Sequence, residues 1–172
     1  MFIIVEGIDG SGKSTLVKEL EQHGAIFLPG EDRYSKKSIK HFLSMIKQLH
    51  NHKDVYLCDR SFLSDLVYRY IDDKSPAVYT LDNLYQFCKY CDAIIYCNSA
   101  HSFENSIARG ENNITDILTS ERLRIYYNFL IDIFKRYDLV KVFEYDYDIM
   151  NVNDVVNFIK NKGGRIWNTI IS

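Results

Sequence analysis

The run Gly7-Ile8-Asp9-Gly10-Ser11-Gly12-Lys13-Ser14 constrains this chain more than any other feature. Ahead of it stand Phe2, Ile3, Ile4 and Val5, an unbroken apolar run that reads as a buried strand. Behind it, Ser14 to Gln22 carries Leu16, Val17 and Leu20 at helical spacing. A strand that passes straight into a helix through glycines leaves successive backbone N–H groups free to turn inward, with no Cβ in the way. Those donors, with the positive end of the following helix, suit the oxygens of a phosphate chain.

The spacing matches G-x-x-x-x-G-K-[ST] at each fixed position and in the required strand-to-helix context. Four fixed positions coincide by chance on the order of once in a hundred such sequences or fewer. The expectation is a nucleoside triphosphate held by Gly7, Asp9, Gly10, Ser11, Gly12, Lys13, Ser14 and Thr15. Lys13 would reach the β- and γ-phosphates, and the Ser14 hydroxyl would ligate Mg²⁺. Binding of this kind does not say what the phosphate is used for.

Strand-like runs and helical stripes alternate along the rest of the chain. Strands are expected at Ala25 to Leu28, Val55 to Cys58, Ala93 to Cys97 and Leu139 to Phe143. Helices are expected at Ser38 to Leu49, around Leu63 to Tyr70, around Leu81 to Cys88, at Ser102 to Ala108, through Leu123 to Phe134, and around Val155 to Ile159. Pro29-Gly30 closes the second strand, and residues 110 to 119 read as a loop. This alternation argues for an α/β fold with a parallel sheet covered by helices on both faces.

Composition narrows the alternatives. A chain of 172 residues with no linker or repeat is expected to form one domain, 1–172. A net charge of −2 supplies no whole-molecule basic field to draw it to nucleic acid or an anionic membrane. No apolar run reaches membrane-spanning length, and Phe2 to Val5 is too short for a signal peptide, so a cytoplasmic protein is expected. Cys88-x-x-Cys91 is half of a zinc pattern without a second pair, so the four cysteines are expected as buried free thiols.

Three stretches, FIIVEGIDGSGKSTLVKEL, VYLCDRSFLSDLVYR and AIIYCNSAHSFENSIARGE, resemble the thymidylate kinase family within the wider nucleotide and deoxynucleoside kinases. The resemblance covers most of the chain. It implies a P-loop NTPase fold with five parallel strands in the order 2-3-1-4-5 and helices on both faces. It also implies a homodimer, and transfer of the γ-phosphoryl group of ATP, with Mg²⁺, to a deoxynucleoside monophosphate such as dTMP.

By the same resemblance, Asp59 and Arg60 serve the acceptor side, with Asp59, Ser14 and Glu6 near Mg²⁺. An arginine there can hold an acceptor phosphate by two parallel hydrogen bonds. Away from a phosphate loop, Asp59-Arg60 would read as a surface ion pair. In the nucleoside kinases the position of Glu6 belongs to the base that takes a 5′-hydroxyl proton, whereas a monophosphate acceptor has little need of one. Asp9 matches the loop aspartate that contacts the acceptor 3′-hydroxyl; the alternative is a turn residue bonding its own backbone.

Arg109-Gly110-Glu111 resembles the start of a lid, spanning about 109–119, whose arginine stabilises the transferring group. The alternative is a helix-terminal arginine before a capping glycine. The chain departs from the family where Phe27-Leu28-Pro29-Gly30-Glu31 and Arg33 replace an arginine-bearing acceptor segment. It departs again where Arg69 stands in place of a glutamine. A second reading is a deoxynucleoside kinase, through the run Asp59-Arg60-Ser61. A third, of another class, is a nucleotide-binding regulatory module without efficient catalysis. The closing segment from Arg165 to Ser172 is apolar enough to pack on the domain or a partner.

Overall fold

The computed structural model describes residues 1–28, 36–50, 52–71, 80–110 and 116–164. Pro29-Gly30, Arg33, residues 111–115 of the expected lid and the segment from Arg165 to Ser172 lie outside them. Five strands, β1 (Phe2–Glu6), β2 (Ile26–Leu28), β3 (Tyr56–Asp59), β4 (Ala93–Cys97) and β5 (Lys141–Tyr145), form one parallel sheet in the order β2-β3-β1-β4-β5. The helices are α1 (Lys13–Gln22), α2 (Lys36–Leu49), α3 (Phe62–Ile71), α4 (Leu81–Tyr90), α5 (Ser102–Ala108), α6 (Ile117–Arg136) and α7 (Val152–Asn161).

Alternation along β1 explains the layers. Successive strand side chains point to opposite faces. Phe2 and Ile4 therefore enter a core with residues of α2, α3, α4 and α6, while Ile3 and Val5 enter one with residues of α1 and α7. Every residue of β1 and β4 is buried, as a strand covered on both faces must be. Phe42 of α2 is core, packed against Phe2 and Phe87. The four cysteines are free thiols, three of them fully buried, and burial pushes the Cys97 thiol up to about 12.

Two expected boundaries move for identifiable reasons. The long helix begins at Ile117, inside the polar stretch 110–119, because the Asp116 carboxylate caps it by accepting from the Thr119 N–H at 2.8 Å. The fifth strand is Lys141–Tyr145 rather than Leu139 to Phe143. Asp138 takes a left-handed φ of 48°, and the Leu139 N–H returns to the Phe134 carbonyl at 3.0 Å. That is a helix-terminating cap, so Leu139 belongs to the end of α6 and pairing starts two residues later.

Candidate active site

In an open parallel sheet, the crevice lies at the carboxyl ends of the strands where the order reverses. Here the chain passes from β3 to β4 across β1, so the loop after β1 emerges at that switch point. It is flanked by Asp59, the last residue of β3, with Arg60 after it, and by Asn98-Ser99 after β4.

The loop is held open by close packing. Gly10 has φ +76°, and a Cβ there would collide with the Ser102 carbonyl oxygen and approach the Ser106 nitrogen of α5 to 2.7 Å. Gly12 begins α1 at φ +87° with no side-chain cap, and a Cβ there would sit 2.5 Å from Cδ1 of Tyr147. An uncapped helix start leaves its first N–H groups available to an anion. Lys13 is buried beneath the loop and donates from Nζ to the Ile8 carbonyl at 2.6 Å. Ser14 and Thr15 face outward on the first turn of α1. Gly10→Ala is expected to cost about 2–3 kcal/mol through the strained φ and the collision. A thermal midpoint lowered by roughly 4 °C or more would register it.

Glu6 continues the face of Phe2 and Ile4, which brings its carboxylate under α3 and α6. It has no exposed surface. Oε1 accepts from the Ser61 hydroxyl, Oε2 accepts from Ser64 at 2.6 Å, and the Tyr127 hydroxyl lies 3.3 Å from Oε2. Burial, reinforced by the Glu6 charge, pushes the Tyr127 phenol well above its ordinary value, which keeps its proton available for donation.

Arg60 follows β3 with φ 67°, a left-handed conformation unusual for a non-glycine residue. Its surroundings over-determine it. The backbone N–H donates to the Val5 carbonyl at 2.9 Å, and the guanidinium lies over the Tyr68 ring at 5.1 Å. The same guanidinium forms an ion pair with Asp9 Oδ1 and reaches the Gly7 carbonyl and the Ser64 hydroxyl, each at 3.4 Å. Strain of this kind persists only where neighbours enforce it and clusters at functional sites. Asp9 is buried, and its second oxygen, Oδ2, has no hydrogen-bond partner among the described residues. Asp59 is half-buried beside Arg60, paired in register with Val5.

On the other side of the loop lies a cleft of about 440 Å³ lined by Gly12, Thr15, Glu19, Asn105, Arg109 and Tyr147, among others. Asn105 donates to the Tyr147 hydroxyl across it. Arg109 is exposed at the rim, where α5 ends before Gly110 at φ 67°. Glu6, Asp9, Lys13, Asp59 and Arg60 thus converge on one crevice, and Arg109 stands on the neighbouring cleft. Tyr127, Asn105 and Tyr147 were not singled out by sequence. Tyr127 reads as one more member of an apolar helical stripe, and Tyr147 lies more than 130 residues from the loop it touches.

No protein-family model matches the sequence, and no curated protein matches it. Solved structures do match. The YorR protein of Bacillus subtilis, in complex with phosphorylated GDP, superposes with a TM-score of 0.68 at 16% identity over 94% of each chain. Deoxyadenosine kinase from M. mycoides with bound dATP gives 0.58 at 19% identity, over 94% of this chain and 98% of that one. Thymidylate kinase from Candida albicans gives 0.56 at 11% identity, over 97% of this chain and 94% of that one. With its strand order and its glycine loop at the switch point, the chain has the fold of the P-loop nucleotide and deoxynucleoside kinases.

Proposed function

We propose that this protein transfers the γ-phosphoryl group of ATP to a deoxynucleoside monophosphate, with dTMP or a related nucleotide as acceptor. The observation that carries the reading is the Arg60–Asp9 ion pair, which ties the end of β3 to the interior of the phosphate loop. It sets a guanidinium beside the place where a γ-phosphate would rest, with Lys13 below. A bidentate arginine and an in-line donor phosphate are the two parts that such a transfer needs most, because its loose transition state asks for positioning and charge.

The residues fit a magnesium ion shared with nucleotide phosphates. The exposed Ser14 hydroxyl and the Asp59 carboxylate are the groups that would hold it, with Glu6 behind them. Bound there, Mg²⁺ would neutralise charge on the β- and γ-oxygens. Asp9 Oδ2, which has no hydrogen-bond partner among the described residues, suits an acceptor 3′-hydroxyl. Arg109, at the rim of the cleft beside Gly12, suits the lid arginine. The cleft itself is large enough for a nucleobase and ribose.

Glu6 supports the choice of a monophosphate. With no exposed surface and three hydroxyls on its oxygens, it is not at hand to take a proton from an incoming 5′-hydroxyl. A nucleoside acceptor is the second reading, favoured by the bond from Ser61 of the Asp59-Arg60-Ser61 run to Glu6. ADP release with Mg·ATP across nucleosides, nucleoside monophosphates and 5′-hydroxyl oligonucleotides separates them. Turnover with monophosphates alone is the expected result. Turnover with nucleosides alone establishes the second reading, and tight nucleotide binding without acceptor-dependent turnover establishes a regulatory module.

A further inference from the structure

Two polar groups on the wall of the cleft beside Gly12 have no task within the fold. Tyr145 ends β5, is only 4% exposed, and lines the cleft. Glu19 is half-buried on α1, one turn beyond Thr15 on the same side of the helix, and lines it too. Neither the Glu19 carboxylate nor the Tyr145 hydroxyl has a hydrogen-bond or ion-pair partner among the described residues. Burial first, and the Glu19 charge second, raise the Tyr145 phenol to about 12, so its proton stays in place. A buried hydroxyl without a partner is an exception that calls for an occupant.

The chemistry of the pair limits what that occupant is. An ionised carboxylate only accepts hydrogen bonds, and it repels phosphate. Whatever faces Glu19 must therefore be neutral and donate, while a group facing the Tyr145 hydroxyl can accept. Neighbouring hydroxyls do both. Position then chooses among the parts of a nucleotide. Phosphates belong at Gly12 and the first turn of α1, and Glu19 stands about 6 Å further along that helix. The sugar follows directly on the α-phosphate. The base comes after it, and Met150 and Val152 give the same cleft an apolar wall.

We propose that Glu19 and Tyr145 hold the 2′- and 3′-hydroxyls of the donor ribose, which rests on the reading of this cleft as the donor's seat. The pair makes the protein selective for a ribonucleoside triphosphate as donor. A 2′-deoxy donor lacks one of the two hydroxyls and leaves a desolvated polar group without its partner. The selection keeps the two substrates apart. A deoxynucleotide is the acceptor, and a test for the ribose diol holds it out of the donor cleft.

Calorimetric titration of the full chain with ADP, 2′-deoxy-ADP, 3′-deoxy-ADP and GDP, with Mg²⁺ and no acceptor, tests this whatever the acceptor is. The wild type is expected to bind ADP about tenfold more tightly than either deoxy form. Glu19→Ala is expected to bring the three adenine nucleotides within about twofold of one another, by weakening ADP alone, at an unchanged thermal midpoint. Tyr145→Phe keeps the ring in the core and is expected to narrow the same ratio by about threefold or more. Equal binding of ADP and 2′-deoxy-ADP by the wild type overturns the proposal while the donor cleft stands. So does a ratio that survives in Glu19→Ala. A Glu19→Ala protein that loses a preference between ADP and GDP, with the ribose ratio intact, shows that the pair reads the base and likewise overturns it. Failure of all these nucleotides to bind overturns the reading of the cleft, and the proposal with it.

Discussion

Lys13→Ala is expected to abolish phosphoryl transfer while leaving a folded protein. Lys13 is 5% exposed, and its ammonium is held at the Ile8 carbonyl inside the glycine loop. On the proposed reading, that holds a positive charge where negative charge would accumulate on a transferring group. Removing a fixed donor of that kind typically costs about 10²–10³ in turnover, and a full positive charge costs more. A loss of at least 10³-fold in kcat, about 4 kcal/mol, is the expected size.

The structural cost is smaller. The Ile8 carbonyl loses a partner, worth about 1–2 kcal/mol, which a domain of this size survives. Turnover with Mg·ATP and a thermal melt, measured on the same preparation, separate the two effects. A Lys13→Ala enzyme that keeps a tenth of wild-type turnover would remove Lys13 from the reaction.

The glycine loop was legible in the sequence because its chemistry demands fixed residue types at fixed spacing, between two elements whose periodicities differ. The sheet was legible because strands buried on both faces leave unbroken apolar runs, as Ala93–Cys97 does. Its order followed from the resemblance rather than from any pattern. What stayed hidden depends on tertiary contact. Glu6 attracts notice by preceding Gly7, yet nothing local says that its partners come from α3 and α6. Tyr127 supplies one of them, and in sequence its phenol is indistinguishable from a core ring.

The same holds for Tyr147, which closes over Gly12 only because β5 lies next to β4 at the sheet edge. Leu139 shows the limit from the other side. Its side chain fits a strand, but the left-handed Asp138 turns the backbone into a helix cap and removes it. Local pattern and tertiary closure therefore explain different parts of this site. The first places the glycine loop, and the second places the carboxylate and the tyrosines around it.

Arg60→Ala is expected to lower acceptor kcat/KM by about 10²–10³-fold while changing ATP affinity by no more than about threefold. The asymmetry follows from where the guanidinium sits. It grips the phosphate loop through Asp9 and the Gly7 carbonyl, but it emerges from the end of β3, on the side of the loop away from the cleft by Gly12 and Tyr147. Its removal also leaves Asp9 buried without its cation. Because Arg60 is about a third exposed, the stability cost is smaller than the 3–5 kcal/mol of a fully buried pair. Arg60→Lys separates charge from geometry. It keeps a cation near Asp9 but loses the planar fork, so stability should largely recover while acceptor use stays impaired. A cycle through Asp9→Asn, Arg60→Lys and the double variant then measures their coupling in both readouts. If acceptor kinetics in Arg60→Ala match the wild type while only stability falls, the ion pair is a brace for the loop and the acceptor is held elsewhere.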